Sequence, residues 1–278
     1  MIFRNFIQFV VYTNCWISVG AAALAAQYYL FFEQEVDYGF LFFLFFGTQL
    51  TYIFQRLVKL NHKNKHDSPR LRWMKRNPII SRFFLFLSLG GCLFLLFFFP
   101  PEILFFLAVL GFISFFYIRK FPGEKGKNLR DIPHLKIYLI AIVWAVSSSF
   151  LPAFLAEQEW NNNLILLFLA NFLYIIAITI PFDIRDLHLD EREKQTIPQL
   201  LGVKKAKILA VILAAGAAVL LYVLNSNFVP ALIAILGVTS ALVLYSKPKH
   251  KDLYYSFGVD GLLPLQFVLL LLNSLLLS

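Results

Sequence analysis

The chain has 278 residues, 59% of them hydrophobic, with a mean hydropathy of +0.71 and a formal net charge of +9. Ordinary globular domains are about 45–50% apolar, so this composition excludes a water-soluble domain. Its two cysteines, Cys15 and Cys92, both fall in apolar runs and imply neither a disulfide framework nor a metal site.

Nine apolar runs are long enough to cross a bilayer, at about 7–31, 38–58, 80–99, 101–118, 137–155, 163–182, 206–224, 228–245 and 257–277. The first resembles a signal peptide around Ala23-Leu24-Ala25, but the run continues to Phe32 and Asn14 interrupts it, which argues for a retained span. Phe99-Pro100-Pro101-Glu102 alone separates the third and fourth runs, so these form a tight hairpin. With the N-terminus inside, all 25 Lys and Arg fall in the N-terminal segment and the loops after spans 2, 4, 6 and 8. The opposite loops carry only acids: Glu33, Glu35, Asp37, Glu102, Glu157 and Glu159. This pattern predicts a cytoplasmic N-terminus and a C-terminus on the other side. Topology and attraction of the basic loops to anionic lipid account for the net charge without nucleic acid.

Polar residues concentrate in the inside loops, so chemistry is expected on that face. Span 2 ends in Tyr52, Gln55, Arg56, Lys59 and Lys63; span 6 ends in Pro181, Asp183, Asp186 and Asp190. The i, i+3, i+7 spacing of the aspartates holds them within roughly 60° of one helical face. Three like charges there call for a cation, and ionisable groups where a helix leaves the membrane read as functional. Arg56, Lys59 and Lys63 repeat the spacing with opposite charge. The two sets occupy equivalent places in spans 1–4 and 5–8, as in a duplicated unit whose polar ends share a cavity mouth.

Asp183-x-x-Asp186-x-x-x-Asp190, followed by Arg192, Lys194, Thr196-Ile197-Pro198 and Leu201-Gly202, resembles the second aspartate motif of the UbiA superfamily of intramembrane prenyltransferases. The span pattern and the inside segments Tyr117-Ile118-Arg119-Lys120 and Arg130-Asp131-Ile132-Pro133 are similar to that family too. The resemblance covers the whole chain. It implies one all-α domain over residues 1–278, a polytopic bundle of nine transmembrane helices around a central cavity. It further implies transfer of a prenyl group from an isoprenoid diphosphate, or work on another lipid phosphate, with Mg²⁺ on Asp183, Asp186 and Asp190 as the catalytic and metal-binding carboxylates. Substrate contacts are expected from Tyr52, Gln55, Arg56, Lys59, Arg119, Lys120, Arg130 and Lys194.

The family's first motif carries aspartates where this chain has Arg56, Lys59 and Lys63. Three accounts follow. One Mg²⁺ stays on the aspartates while Arg56 and Lys59 take the diphosphate directly; or the bases neutralise the aspartates and the protein binds lipid or acts as a scaffold or transport component without transfer; or the cavity hosts another head group and another reaction.

Other residues carry narrower expectations. His62 and His66 have zinc-like spacing but no third ligand. Asn14 must face the bundle interior, and Asp260 lies near the inside surface. Gly20 and Gly90-Gly91 read as close helix packing. Pro181 should bend the end of span 6, and Pro198 should open a new helix. The residues 190–195 are expected to cap the cavity mouth.

Overall fold

The structure, a computed structural model, describes residues 2–61, 68–117, 132, 135–188, 195–248 and 250–277. Its described residues are helical with short turns, and the protein is an integral, multi-pass membrane protein. The helices are α1 (Ile2–Tyr12), α2 (Cys15–Phe31), α3 (Tyr38–Asn61), α4 (Pro69–Arg76), α5 (Pro78–Leu96) and α6 (Pro101–Phe116), then α7 (Leu135–Ala145), α8 (Leu151–Leu155), α9 (Asn162–Asp186), α10 (Ile197–Leu224), α11 (Val229–Tyr245) and α12 (Leu262–Leu277). A π turn at Val146–Phe150 joins α7 to α8, and a second, Tyr254–Val259, precedes α12.

Among the described residues, seven helical segments are long and apolar enough to span a bilayer, and the bent pair α1–α2 makes an eighth. At 16 residues, α6 falls short of that length. The helices follow the nine expected apolar runs, and among the described residues eight of them meet the length and composition of a span. The first run also departs from expectation. It is two helices meeting at 69°, broken at Thr13-Asn14, where Asn14 takes a left-handed conformation with φ 67. Asparagine tolerates that conformation better than most residues, because its short amide can bond locally.

Helices α2, α12, α11, α10, α9 and α7 pack in sequence, and α2 meets the π turn at Val146–Phe150, closing a ring. Helix α9 carries the most extensive buried surface, including Leu164, Leu167, Tyr174, Ile180 and Ile184. Helix α3 lies outside against α2, with α5 beyond it, and α6 packs on α7 and α8. Small residues set two of these contacts. A Cβ on Gly20 would meet the Leu263 side chain at 3.1 Å, and one on Gly91 would meet Phe46 at 2.6 Å. Gly90 has nothing within 4 Å, so only its neighbour serves the packing expected of the pair.

Some polar side chains at membrane depth bond to one another, which offsets the cost of placing them in hydrocarbon. Asn171 on α9 donates to Ser148 and Ser149 of the first π turn, at 3.0 and 3.1 Å. Pro152 has no N–H to give the Ser148 carbonyl, and the wider π turn accommodates its ring.

The ends of the first and fifth spans use one device. Glu33 and Glu157 both sit at φ 50, and the following Gln34 and Gln158 N–H groups bond back to Tyr29 and Ala153 at 3.1 and 2.9 Å. The next helices are capped alike, by Asp37 on the Phe40 N–H and by Asn161 on the Leu164 N–H, each at 2.9 Å. The Tyr28 hydroxyl bonds to Gln158, tying the two ends together.

Helix α10 opens at Pro198 as expected, with Thr196 as its cap and the Thr196 N–H donating to Gln199 Oε1 at 2.9 Å. It is broken at Gly202, whose φ of 76 and ψ of 159 lie in a region that only glycine occupies readily. Helix α9 continues through Pro181 to Asp186.

Candidate functional site at the ends of α3, α4 and α9

The last turn of α9 carries Asp183 and Asp186, and they turn to different neighbours. Asp183 is 2% exposed, and its Oδ1 lies 2.6 Å from Nζ of Lys136 at the start of α7. The pair sits beside a cleft of about 30 Å³ lined by Lys136, Ile137, Tyr138, Asp183, Gln195, Thr196 and Ile197. That volume holds roughly two waters, at about 10–15 Å³ each. Thr196 Oγ1 is buried beside this cleft without a hydrogen-bond partner among the described residues.

Asp186 is held by its own neighbour. Arg185 Nε and Nη2 donate to Asp186 Oδ1 and Oδ2 at 2.8 and 3.0 Å, a two-pronged pair. The same guanidinium lies 5.1 Å from the Phe182 ring centroid and 5.5 Å from that of Tyr255, and its Nη1 reaches Asp252 Oδ1 at 3.4 Å. Arg70 Nε of α4 donates to the other Asp252 oxygen at 2.7 Å. Burial alone would raise the Asp252 pKa; the adjacent charge and hydrogen bond of Arg70, with Arg185 and Arg56, outweigh it and bring the carboxyl below its ordinary value. Ser256 fixes the start of this segment by donating to the Asp252 carbonyl at 2.8 Å.

Helix α3 supplies the last member. Arg56 is 8% exposed, and its Nη1 donates to the Tyr12 carbonyl at 3.0 Å. Two turns earlier, Gln49 donates to the Thr13 carbonyl at 3.1 Å and accepts from Ser88 at 2.8 Å. Tyr12 and Thr13 precede Asn14, so the break in the first span exposes carbonyls that one face of α3 satisfies. Asn14 itself is 1% exposed, with neither amide atom partnered among the described residues.

Arg56, Arg70, Arg185, Asp186 and Asp252 thus gather at one end of the bundle, with Asp260 acting electrostatically on Arg56 and Arg185. Asp183 pairs with Lys136 of α7, while Asp252 bonds Arg70 and Arg185 and acts electrostatically on Arg56. Tyr52, Gln55 and Lys59 are half-buried on α3, with Tyr52 packed against the core. His188 is exposed, in keeping with a side chain directed away from the aspartates. Lys63, Arg119, Lys120, Arg130, Asp190 and Lys194, with His62 and His66, lie outside the described residues.

Lys136, Arg70, Arg185 and Asp252 were not singled out as site residues from the sequence. Nothing in periodicity joins residues so far apart in the chain. A Ser68-Pro69 helix start in the loop after span 2 was the available signal for α4 and for Arg70, since Ser68 accepts from the Leu71 N–H at 3.3 Å.

The Mg²⁺ that such aspartates imply can be tested against these contacts. Both described carboxylates already carry a cation of the chain, Lys136 or Arg185. Among the described residues no group of three or more His, Cys, Asp or Glu is placed to hold a metal. Asp190, the third carboxylate of the set, lies outside the described residues; at Asp183 and Asp186 a metal would compete with Lys136 and Arg185.

A ring of membrane helices with acids and bases buried at one end defines a polytopic protein built around a charged intramembrane site. The UbiA prenyltransferase family profile matches residues 76–252, well over half of the chain, and the chain belongs to that family. The match includes Asp183 and Asp186 and leaves out α3 with Arg56. The fold is similar to a solved structure of a digeranylgeranylglyceryl phosphate synthase, at 16% identity and a TM-score of 0.55, over 99% of this chain and 98% of that one. No curated protein matches the sequence.

Proposed function

We propose that this protein is a prenyltransferase-type membrane enzyme acting on an isoprenoid diphosphate, with its head-group site on the cytoplasmic side. The observation that carries the reading is Asp183-x-x-Asp186 at the membrane exit of α9, in a chain of this family, at the same end of the bundle as the buried Arg56 and the half-buried Arg70 and Arg185. The chemistry is ionisation of the bond between the prenyl C1 and its diphosphate oxygen. The oxygen keeps the electron pair, and guanidinium groups stabilise the charge that develops on it. A nucleophilic acceptor then bonds to C1 and loses its proton, in an apolar surrounding that excludes water.

Mg²⁺ on Asp183, Asp186 and Asp190 belongs to this reading as an arm of the test. To bind there it would have to displace Lys136 and Arg185, and no step above is routed through it. The basic inside loops favour anionic lipid around the site. A second reading, lipid binding without transfer, is favoured by those same two resident cations.

The test uses the purified full chain in lipid nanodiscs with labelled farnesyl or geranylgeranyl diphosphate, with and without Mg²⁺, followed by diphosphate release. Release that falls at least about a hundredfold in Arg56→Ala supports transfer, since removal of a charged transition-state contact costs on that order. Binding with no release in any lipid or acceptor mixture supports the second reading and ends the first.

A further inference from the structure

We propose that Asp260 binds the hydroxyl or amine of the lipid-soluble nucleophile that accepts the prenyl group, and receives its proton as the bond to C1 forms. The proposal rests on the transfer reading above and adds to it a site for the second ligand.

Asp260 follows the π turn Tyr254–Val259 and lies within the span that runs to Leu276. It comes eight residues after Asp252, which places it about 10 Å further into the membrane than the bonds from Asp252 to Arg70 and Arg185. Protein surrounds it on every side, yet it is only half-buried, so it meets an internal surface. Tyr52 of α3 is placed in the same way. Among the described residues no hydrogen bond or ion pair engages the Asp260 carboxylate. The charges that act on it, Arg70, Arg185, Asp252 and Arg56, do so from beyond ion-pair reach, as it does on Tyr52.

The backbone that carries this acid is clamped to α2. The Asp260 N–H bonds to the Tyr255 carbonyl at 3.0 Å. Trp16 Nε1 of α2 donates to the Phe257 carbonyl at 3.0 Å, and its ring stacks on Phe257 at 4.8 Å. A Cβ on Gly261 would strike the Phe257 carbonyl at 2.4 Å, and one on Gly20 would come within 3.7 Å of the Asp260 carbonyl. An unpaired carboxylate held at membrane depth is costly, and such groups mark function. A carboxylate accepts hydrogen bonds and protons, so its ligand carries O–H or N–H; a diphosphate is repelled. A diphosphate held at the arginine end directs C1 inward, toward the level of Asp260. There the nucleophile's oxygen or nitrogen bonds to C1, the C1–O bond leaves its electron pair on the diphosphate, and the nucleophile's proton passes to Asp260.

The experiment treats the full chain in nanodiscs with dicyclohexylcarbodiimide, an apolar reagent that adds to protonated carboxyls, and reads each acid by peptide mass spectrometry. Asp260 should label at least about tenfold faster than the ion-paired Asp183 and Asp252, and faster near pH 6 than near pH 9. Dodecanol and dodecylamine should each slow that labelling about tenfold, as a hydrogen bond to a charged group would, whereas dodecyl methyl ether, with no proton to give, should not. In a second arm, labelled farnesyl diphosphate is supplied with dodecanol. Asp260→Asn should bind farnesyl diphosphate within about twofold of the wild type, while formation of the farnesyl dodecyl ether falls about a hundredfold, as loss of a general base does. Should that variant fail to fold, the labelling arm needs no variant. Labelling of Asp260 no faster than of Asp183 and Asp252, equal protection by the methyl ether, or undiminished ether formation in Asp260→Asn overturns the proposal. A wild type that transfers nothing ends the reading above, and protection by dodecanol or dodecylamine still decides whether Asp260 holds an O–H or N–H ligand.

Discussion

Lys136 Nζ lies 2.6 Å from Asp183 Oδ1, so the most buried acid of the α9 motif is compensated by a lysine 47 residues away in the chain. Removing one partner of a buried pair leaves the other charge desolvated. Lys136→Met should therefore lower stability by about 3 kcal/mol, read as loss of thermal stability in detergent. The double variant Lys136→Met, Asp183→Leu should recover much of the loss. A double variant no better than the single would show that the ion pair is not the source.

Asp252 gives the site a pH dependence. Its carboxyl is held below the ordinary value of 3.8, so its contribution to stability is present above that value and is lost as pH falls through the lower, folded one. Thermal melts from pH 6 down to about 3 should fall in the wild type at the acid end. Asp252→Asn should be less stable near neutrality and flatter across the same window.

Asn14 marks a backbone requirement. At φ 67 it sits where a β-branched residue is strained, and its buried amide has no partner among the described residues. Asn14→Val should cost about 1–2 kcal/mol or more, while Asn14→Gly should be tolerated, since glycine takes this conformation freely. Equal melting of the two variants would remove the left-handed break as the reason for asparagine there.

Gly90 and Gly91 are adjacent and should respond oppositely. A methyl at 91 enters the Phe46 ring and should cost about 1–3 kcal/mol, as overpacking does. Gly90→Ala meets nothing within 4 Å and should be neutral or slightly stabilising.

Much of the fold was legible because hydrocarbon demands long apolar helices and tolerates little else. The span positions, the start of α10 at Pro198 and the packing role of Gly20 and Gly91 all follow from local composition. The break at Thr13-Asn14 was not legible, since no glycine or proline marks it; a lone asparagine in an apolar run shows burial but not a bend. Arg56 and Asp186 stood out by type and spacing. Their partners did not: Arg70 meets Asp252 across 182 residues, and Lys136 reads as one more base in an inside loop until the helices assemble. The paired Glu33-Gln34 and Glu157-Gln158 turns were present in the sequence as a repeated dipeptide and became meaningful only as matching helix ends.

Gly202 also resolves a question of reach. Twenty-eight unbroken helical residues would extend about 42 Å, well past a hydrocarbon layer of about 30 Å. With the bend at Gly202, the portion that follows is about 22 residues, or ~33 Å, close to the thickness it must cross. The five residues ahead of it are then free to run along the lipid head groups rather than through them. A single residue without a side chain thereby matches rod to membrane, and an alanine in its place would set the two lengths at odds.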